Sequence, residues 1–384
     1  MTICILMGPY PTDENPINAF TDMLVTEMAN QGVNCVVIAP QSRTEHFFWK
    51  TKPAPLVREK TAPNGNKITI YSPVYNSWSA KSILGFNTAR LTQRSYERVV
   101  LKEYVKRNIK ADVLYGQFFS LGGLAAAKLG DMFGIPAFVD NGESTLSSLD
   151  ILNRKMVVER IKKLSGIISV SSENKRVLLE SGYVSPEFED RMIVAVNCIN
   201  ESMFYKTDKQ KMRKELGFPE DAFIVSFIGH FIERKGTAVL TEVLKDMDDV
   251  YSIFIGRGPM VPDIKNMLHC GTVPHEKVYM YLNASDVFVL PTLAEGLCNA
   301  ILEALACGVP VISSDLPFNY DVLDDSCSIL VNPKNKDEIY SAILRLKEDE
   351  ELKKRLSEGA LEKASKFSLK NRIAKILEFI NNNI

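Results

Sequence analysis

Residues 287–315 read VFVLPTLAEGLCNAILEALACGVPVISSD. The apolar run Val287-Phe288-Val289-Leu290 stops at Pro291-Thr292, the pattern of a strand buried on both faces of a parallel sheet. A short loop carries Glu295 and Gly296. The helix-forming run Ala300-Ile301-Leu302-Glu303-Ala304-Leu305-Ala306 then ends at Gly308-Val309-Pro310, a Gly-then-Pro exit. Val311-Ile312 opens the next strand. The stretch is therefore one strand–loop–helix–strand unit, with one carboxylate in the loop and a second inside the helix.

That arrangement suits an anion. A helix N-terminus presents unpaired N–H groups and a partial positive charge, so the loop Gly296-Leu297-Cys298 can receive a diphosphate, and Gly296 has no side chain to block it. Glu303, one to two turns into the helix, is placed to accept hydrogen bonds from a ribose diol. Glu295 is placed for the hydroxyls of a sugar on the far phosphate. An ordinary βαβ unit with a solvated Glu303 would show the same spacing.

The pattern EG…N…LEALACG.PVI, with seven residues between Glu295 and Glu303, resembles the donor-binding motif of the retaining GT-B glycosyltransferases of family 4. The resemblance implies that Glu303 binds the nucleotide ribose, that Glu295 with the amides of Gly296 and Leu297 holds the donor sugar and phosphate, and that Cys298 and Asn299 line the donor pocket.

Length and composition are consistent with this. A chain of 384 residues exceeds what one core usually supports, so two domains are expected. With 46 basic against 47 acidic residues the net charge is −1, and no global field points to nucleic acid. Seven cysteines form no CxxC pair, which fits reduced, buried thiols in a cytosol better than a disulfide scaffold. Residues 3–7 lack a basic flank and read as a first strand, not a signal peptide. No apolar run has the length of a membrane span.

Strands and helices alternate along the whole chain. In the first half, strands are expected at 3–7, 35–39, 68–71, 113–115, 137–140, 167–170 and 192–196, with helices at 19–31 and 95–110. Residues 41–90, rich in proline, read as an irregular excursion. The polar stretch 198–220 reads as a hinge. A second series restarts at 223–228 and continues through 251–255, a segment near Gly271, 287–290, 311–313 and 329–331. Two successive series predict an α/β protein of the GT-B plan, two Rossmann-like βαβ domains facing across a cleft. The expected limits are 1–200 for an acceptor-binding domain and 201–366 for a nucleotide-sugar domain. The helix at 367–384 is expected to pack back on the first.

GHFIERKG, Gly229 to Gly236, follows the strand 223–228, where loops face the ligand edge of a parallel sheet. Arg234 and Lys235 there can neutralise charge on a departing diphosphate, and cations at a helix start otherwise oppose its dipole. By resemblance Lys235 matches the family lysine, while His230 stands where the family has arginine after Gly229. Gly256, in GRGP, is implied to line the nucleotide pocket, and Gly271 to Val273 to contact the base. His269 and His275 have no partners at metal-ligand spacing and read as surface or packing residues.

The amino-terminal half matches less closely. Gly8 follows the first strand and permits close backbone approach. The family places a glycine pair before the first helix, where this chain has Ile17-Asn18-Ala19. Glu143, in Asp140-Asn141-Gly142-Glu143-Ser144, is the nearest polar counterpart of a family histidine that contacts the reacting sugar. Asn197-Cys198-Ile199-Asn200 replaces an Asn-Gly-Ile-Asp turn. The basic stretches 94–110 and 154–163 read either as solvated faces or as docking on an anionic membrane.

The expected activity is retaining transfer from a UDP- or GDP-sugar to a glycan or lipid-linked acceptor in cell-surface polysaccharide synthesis. No metal and no other cofactor is expected. The resemblance implies that the acceptor hydroxyl attacks from the face the nucleotide leaves, and the expected place is the cytoplasm or the inner membrane face. A nucleotide-sugar epimerase of the same architecture would need cleft acid/base groups and would convert donor with no acceptor present. A Rossmann oxidoreductase lacks its GxGxxG after Met7-Gly8. A silent sugar-binding subunit would neither hydrolyse nor transfer the donor.

Overall fold

The computed structural model of the protein describes residues 1–12, 19–49, 52–83, 86–143 and 145–384. Ile17 and Asn18, in the place of the family glycine pair, and Ser144 lie outside the described residues. The chain divides into two compact units, Met1–Ala195 with Ile373–Ile384, and Val196–Arg372.

Unit 1 is built on eight strands: β1 (Thr2–Leu6), β2 (Asn34–Ile38), β3 (Val57–Thr61), β4 (Lys67–Tyr71), β5 (Val113–Gln117), β6 (Ala137–Asn141), β7 (Gly166–Ser169) and β8 (Met192–Val194). Their order is β8-β7-β6-β5-β1-β2-β4-β3, parallel except for the antiparallel pair β3·β4. The central strands are apolar on both faces because helices cover both. Edge strand β3, Val-Arg-Glu-Lys-Thr, alternates exposed and half-buried positions, and its charges blunt the open edge. The excursion at 41–90, expected to hold short strands with 68–71 among them, thus contributes two strands to this sheet and four more to two small two-stranded sheets.

The helix expected at 95–110 runs Ala89–Lys106. It starts earlier because the Asn87 side chain accepts from the Ala89 N–H at 2.9 Å, and it stops before Asn108, which is left-handed at φ 49°. The final helix, Leu369–Asn381, sets Phe379 edge-on to Phe138 at 5.8 Å. A Cβ at Gly166 would lie 2.7 Å from the Phe379 ring, so glycine at the start of β7 makes room for it.

Unit 2 is a six-stranded parallel sheet of β9 (Phe223–Ile228), β10 (Val250–Ile255), β11 (Met267–Gly271), β12 (Val287–Leu290), β13 (Val311–Ser314) and β14 (Ser328–Val331), in the order β11-β10-β9-β12-β13-β14. The stretch 198–220, polar enough to suggest a hinge, instead contains the helix Lys209–Leu216. Its polar composition hides an inward cation. Arg213 is buried and donates to the Ala284 carbonyl at 3.0 Å and to Asp286 at 2.7 Å, so the segment is fixed to the unit.

The two basic stretches differ. In 154–163, Arg160 pairs with Glu97, Lys162 with Glu159 and Lys163 with Asp131, while Arg154 donates to the Ser181 carbonyl. These four cations have local partners, and the Lys162 and Lys163 pairs lie at the exposed surface, as a solvated face would have them. No described helix is long and apolar enough to cross a membrane.

Candidate active site

The carboxyl edge of the unit 2 sheet gathers residues that are far apart in sequence. Gly229 N–H donates to the Ile255 carbonyl at 3.0 Å, and Gly256 N–H donates to the Gly271 carbonyl at 2.8 Å. Gly229, Gly256 and Gly271 therefore form one row across three adjacent strands. A Cβ at Gly256 would fall 1.9 Å from the Gly229 carbonyl oxygen, and one at Gly258 2.4 Å from that of Phe231. The GxG pattern thus has a packing reason: it lets two loops run backbone against backbone. Beneath them Phe227, Phe231 and Phe254 form an aromatic cluster that fixes the loop from below.

Glu233–Lys235 make a single tight turn closed by Gly236 at φ 74°, where a Cβ would meet the Pro291 carbonyl at 2.2 Å. This close approach lets the loop after β12 bind along the turn. Leu293 N–H donates to the Arg234 carbonyl at 2.7 Å, and the Thr292 hydroxyl donates to it at 3.0 Å. The Thr292 hydroxyl also lies 2.9 Å from Glu295 Oε1. Glu295 is 8% exposed and pairs with Lys235 Nζ at 2.5 Å, while Arg234 Nη1 stands 3.4 Å away. Arg234 is 38% exposed and donates to the Ala294 carbonyl. The structure therefore brings Glu295, Arg234 and Lys235 together. Sequence analysis assigned both cations to a phosphate, but one of them already neutralises Glu295. His230 is exposed and makes no hydrogen bond with its imidazole among the described residues.

The helix Asn299–Ala306 follows. Gly296, Leu297 and Cys298 at its mouth are buried. Burial pushes the Cys298 thiol up to about 11, with Lys235 and the N–H groups of Ala300 and Ile301 pulling the other way. The Ile301 N–H donates to the Cys298 carbonyl at 3.1 Å, so the main chain of Cys298 closes the first turn of this helix. Asn197 Nδ2 donates to Asn299 Oδ1 at 2.9 Å, which gives the Asn197 turn a role in orienting the pocket asparagine. Glu303 is 14% exposed and meets His275 Nε2 at 2.9 Å. His275 also packs on Phe204, with ring centroids 5.2 Å apart. The Glu303 hydrogen bond raises the His275 pKa against the opposing effect of burial. His275, half exposed and packed on Phe204, is thus also the hydrogen-bond partner of Glu303, a contact its sequence position does not announce. His269 instead packs on Tyr281 at 5.0 Å.

Unit 1 has its own sheet edge. Gly8 follows β1 and Glu143 follows β6, with β5 between them. Glu143 Oε1 accepts the Phe119 N–H at 2.5 Å, whereas its Oε2 is buried with no hydrogen-bond partner among the described residues. Burial pushes this carboxyl up to about 7, with the amides of Phe119 and of Glu143 itself pulling down. The segment that cradles it is strained: Phe118 and Leu121 are left-handed at φ 59° and 62°. Gln93 holds that strain by accepting from Leu121 N–H at 2.9 Å and donating to the Leu121 carbonyl at 3.3 Å.

Sequence reasoning missed Thr292 and Gln93, and named the Asn197 turn and His275 without their partners. Thr292 stands within three residues of Glu295 and could have been found from that spacing. The contacts of the other three span 102, 28 and 28 positions, and sequence gives no sign of which residues they meet.

Residues 208–363 match the family described as Glycosyl transferases group 1. A glycosyltransferase of Bacillus subtilis, assigned by name to teichuronic acid biosynthesis, is 26% identical over 357 residues, 91% of this chain and 90% of that one. Among solved structures, sucrose-phosphate synthase from Thermosynechococcus elongatus superposes with a TM-score of 0.77 over 99% of this chain and 98% of that one, at 16% identity. Anabaena HepE, in complex with UDP and glucose, does so with a TM-score of 0.71 over 100% of both, at 15% identity. The protein thus carries a glycosyl transferases group 1 domain on a chain of two Rossmann-like α/β units, the fold of the GT-B glycosyltransferases.

Proposed function

We propose that this glycosyltransferase is a retaining enzyme that moves a sugar from a UDP- or GDP-sugar to a glycan or lipid-linked acceptor in cell-surface polysaccharide or glycoconjugate assembly. The observation that carries the reading is the Lys235–Glu295 pair, 2.5 Å apart and largely buried, beside the amides of residues 296–298 and within one helix of Glu303. The UDP and glucose held by the Anabaena protein, and the polysaccharide in the name of the Bacillus relative, support it.

In this reading Glu303 accepts the ribose hydroxyls, Gly296 and Leu297 donate to the distal phosphate, and Glu295 holds sugar hydroxyls. Gly271 and Val273 contact the base. Gly229, His230, Gly256, Cys298 and Asn299 line the pocket. In unit 1, Gly8 and Glu143 are the candidate acceptor and sugar contacts. Charge builds on the diphosphate as the glycosidic bond breaks. Arg234 and Lys235, held in place before that happens, stabilise the transition state more than the ground state. They take the role that a metal ion would otherwise fill, so a chelator leaves turnover unchanged.

Calorimetric titration with UDP, GDP and ADP, alongside assays of donor consumption, tests the assignment. Glu303→Ala weakens nucleotide binding, and Lys235→Ala mainly slows transfer. Binding and turnover unchanged in both variants would reject it. Donor conversion with no acceptor present would make it an epimerase.

A further inference from the structure

Unit 1 exposes aromatic side chains that a soluble surface rarely leaves open. Phe47 and Phe48, on the short helix Arg43–Trp49, are 78% and 72% exposed, and Trp78 is 43% exposed. Hydrogen bonds show that they share one corner. The Thr44 hydroxyl donates to the Ser77 carbonyl at 2.9 Å, and the Ser42 and Ser77 hydroxyls lie 2.6 Å apart. Phe47 and Phe48 follow Thr44 at i+3 and i+4, on the face turned to Ser77 and Trp78. The same segment is tied to the helix Ala89–Lys106 through Trp78 N–H to the Thr92 hydroxyl at 2.9 Å and Asn76 N–H to the Ser95 hydroxyl at 3.1 Å.

That helix presents a cationic stripe beside the aromatic corner. Arg94, Arg98 and Lys102 recur every four residues on its outer face and are exposed, and none makes an ion pair among the described residues. Its two acids, Glu97 and Glu103, are buried on the other side, paired with Lys128 and Arg107. The outer face therefore has one sign of charge, and the corner's acid is Glu45.

We infer that this face, Phe47, Phe48 and Trp78 flanked by Arg94, Arg98 and Lys102, docks on an anionic lipid bilayer. The aromatic rings enter the interfacial layer while the guanidinium and ammonium groups remain at the headgroups. A folded protein partner of acidic surface would meet the stripe equally well, but it would not ask for three protruding aromatics beside it. The inference stands on this surface alone and survives if the proposed reaction fails.

The full chain is sedimented with vesicles of phosphatidylcholine, alone or mixed equally with phosphatidylglycerol. It partitions onto the mixed vesicles, releases as salt rises, and binds neutral vesicles weakly. Phe47→Ser with Phe48→Ser lowers the partition coefficient roughly tenfold or more, and Arg94→Gln or Arg98→Gln lowers it about fivefold each. Lys162→Gln with Lys163→Gln, on the helix whose cations are already paired, leaves it within about twofold. Because every altered side chain is exposed, melting midpoints stay at the parent value, and a variant that melts earlier is replaced by Phe47→Ala alone. The inference is overturned by absence of vesicle binding, by equal binding to neutral vesicles, or by binding that both sets of substitutions leave intact. Self-association abolished by the phenylalanine substitutions would assign the face to a second copy and overturn it as well.

Discussion

Two glutamates, Glu295 and Glu143, stand at the carboxyl edges of the two parallel sheets, and their surroundings could hardly differ more. Glu295 is buried with a lysine 2.5 Å from its oxygen, a threonine hydroxyl and a nearby arginine. Glu143 is half-buried, with one main-chain N–H on Oε1, and its buried Oε2 has no hydrogen-bond partner among the described residues. The first carboxylate is held by charge, which fixes position and orientation before any ligand arrives. The second has no ion-pair partner among the described residues, so burial of its carboxyl favours the protonated form and makes it a donor as readily as an acceptor near neutral pH. A parallel-sheet edge can thus fix one carboxylate between cations and leave another able to carry a proton.

The contrast breaks most sharply at Lys235. Lys235→Ala strands Glu295 without its main counter-charge, a loss of about 3–5 kcal/mol by comparison with other buried pairs, and turnover falls roughly a hundredfold or more. Glu295→Gln added to it restores the denaturant midpoint but not transfer. A single variant with parental stability in urea would show that Arg234 alone balances Glu295, and that the pair is not the anchor of the loop.

Glu143→Gln sharpens the other side. The folded carboxyl titrates at about 7 against an ordinary 4.5, so the folded state binds the proton more tightly than the unfolded one. Its contribution is complete below the unfolded value, declines as pH rises between the two, and is gone above about 7. The difference corresponds to at most about 3 kcal/mol. Glu143→Gln removes that slope and is more stable than the parent at alkaline pH, measured by melts across the window. Parallel pH profiles for the two proteins would mean the carboxyl is ionised in the fold.

Smaller effects attach to the helix. Glu303→Ala weakens UDP or GDP about tenfold to a hundredfold, the worth of hydrogen bonds to a charged acceptor, with the melting midpoint nearly unmoved. His275 adds a gentler modulation. Its raised pKa means that its pairing with Glu303 is complete at pH below its ordinary value and is lost as pH rises through the folded one. Nucleotide affinity therefore improves toward alkaline pH, by no more than about fivefold for so exposed a pair. His275→Gln flattens that dependence, and an unaltered profile would separate His275 from the ribose carboxylate.

The periodicity of the chain was enough to specify the strand and helix series, because buried parallel strands and amphipathic helices leave repeating marks. The strands Phe223–Ile228 and Val287–Leu290 can be read residue for residue. Edge strand Val57–Thr61 cannot, since its inward positions hold cations, Arg58 bonded to the Pro11 carbonyl and Lys60 paired with Asp22, instead of apolar residues. The helix Lys209–Leu216 is hidden because its inward residue, Arg213, is a cation satisfied by Asp286. At the site, the spacing of Glu295 and Glu303 and the cations of GHFIERKG are properties of sequence alone, as local turns and a helix start set them. Tertiary structure decided that Lys235 closes on Glu295 across 60 positions, that His275 shares Glu303 across 28, and that Glu143 has no ion-pair partner among the described residues. Charge pairing and burial depend on what the fold brings within a few ångströms, and distance along the chain carries no record of that.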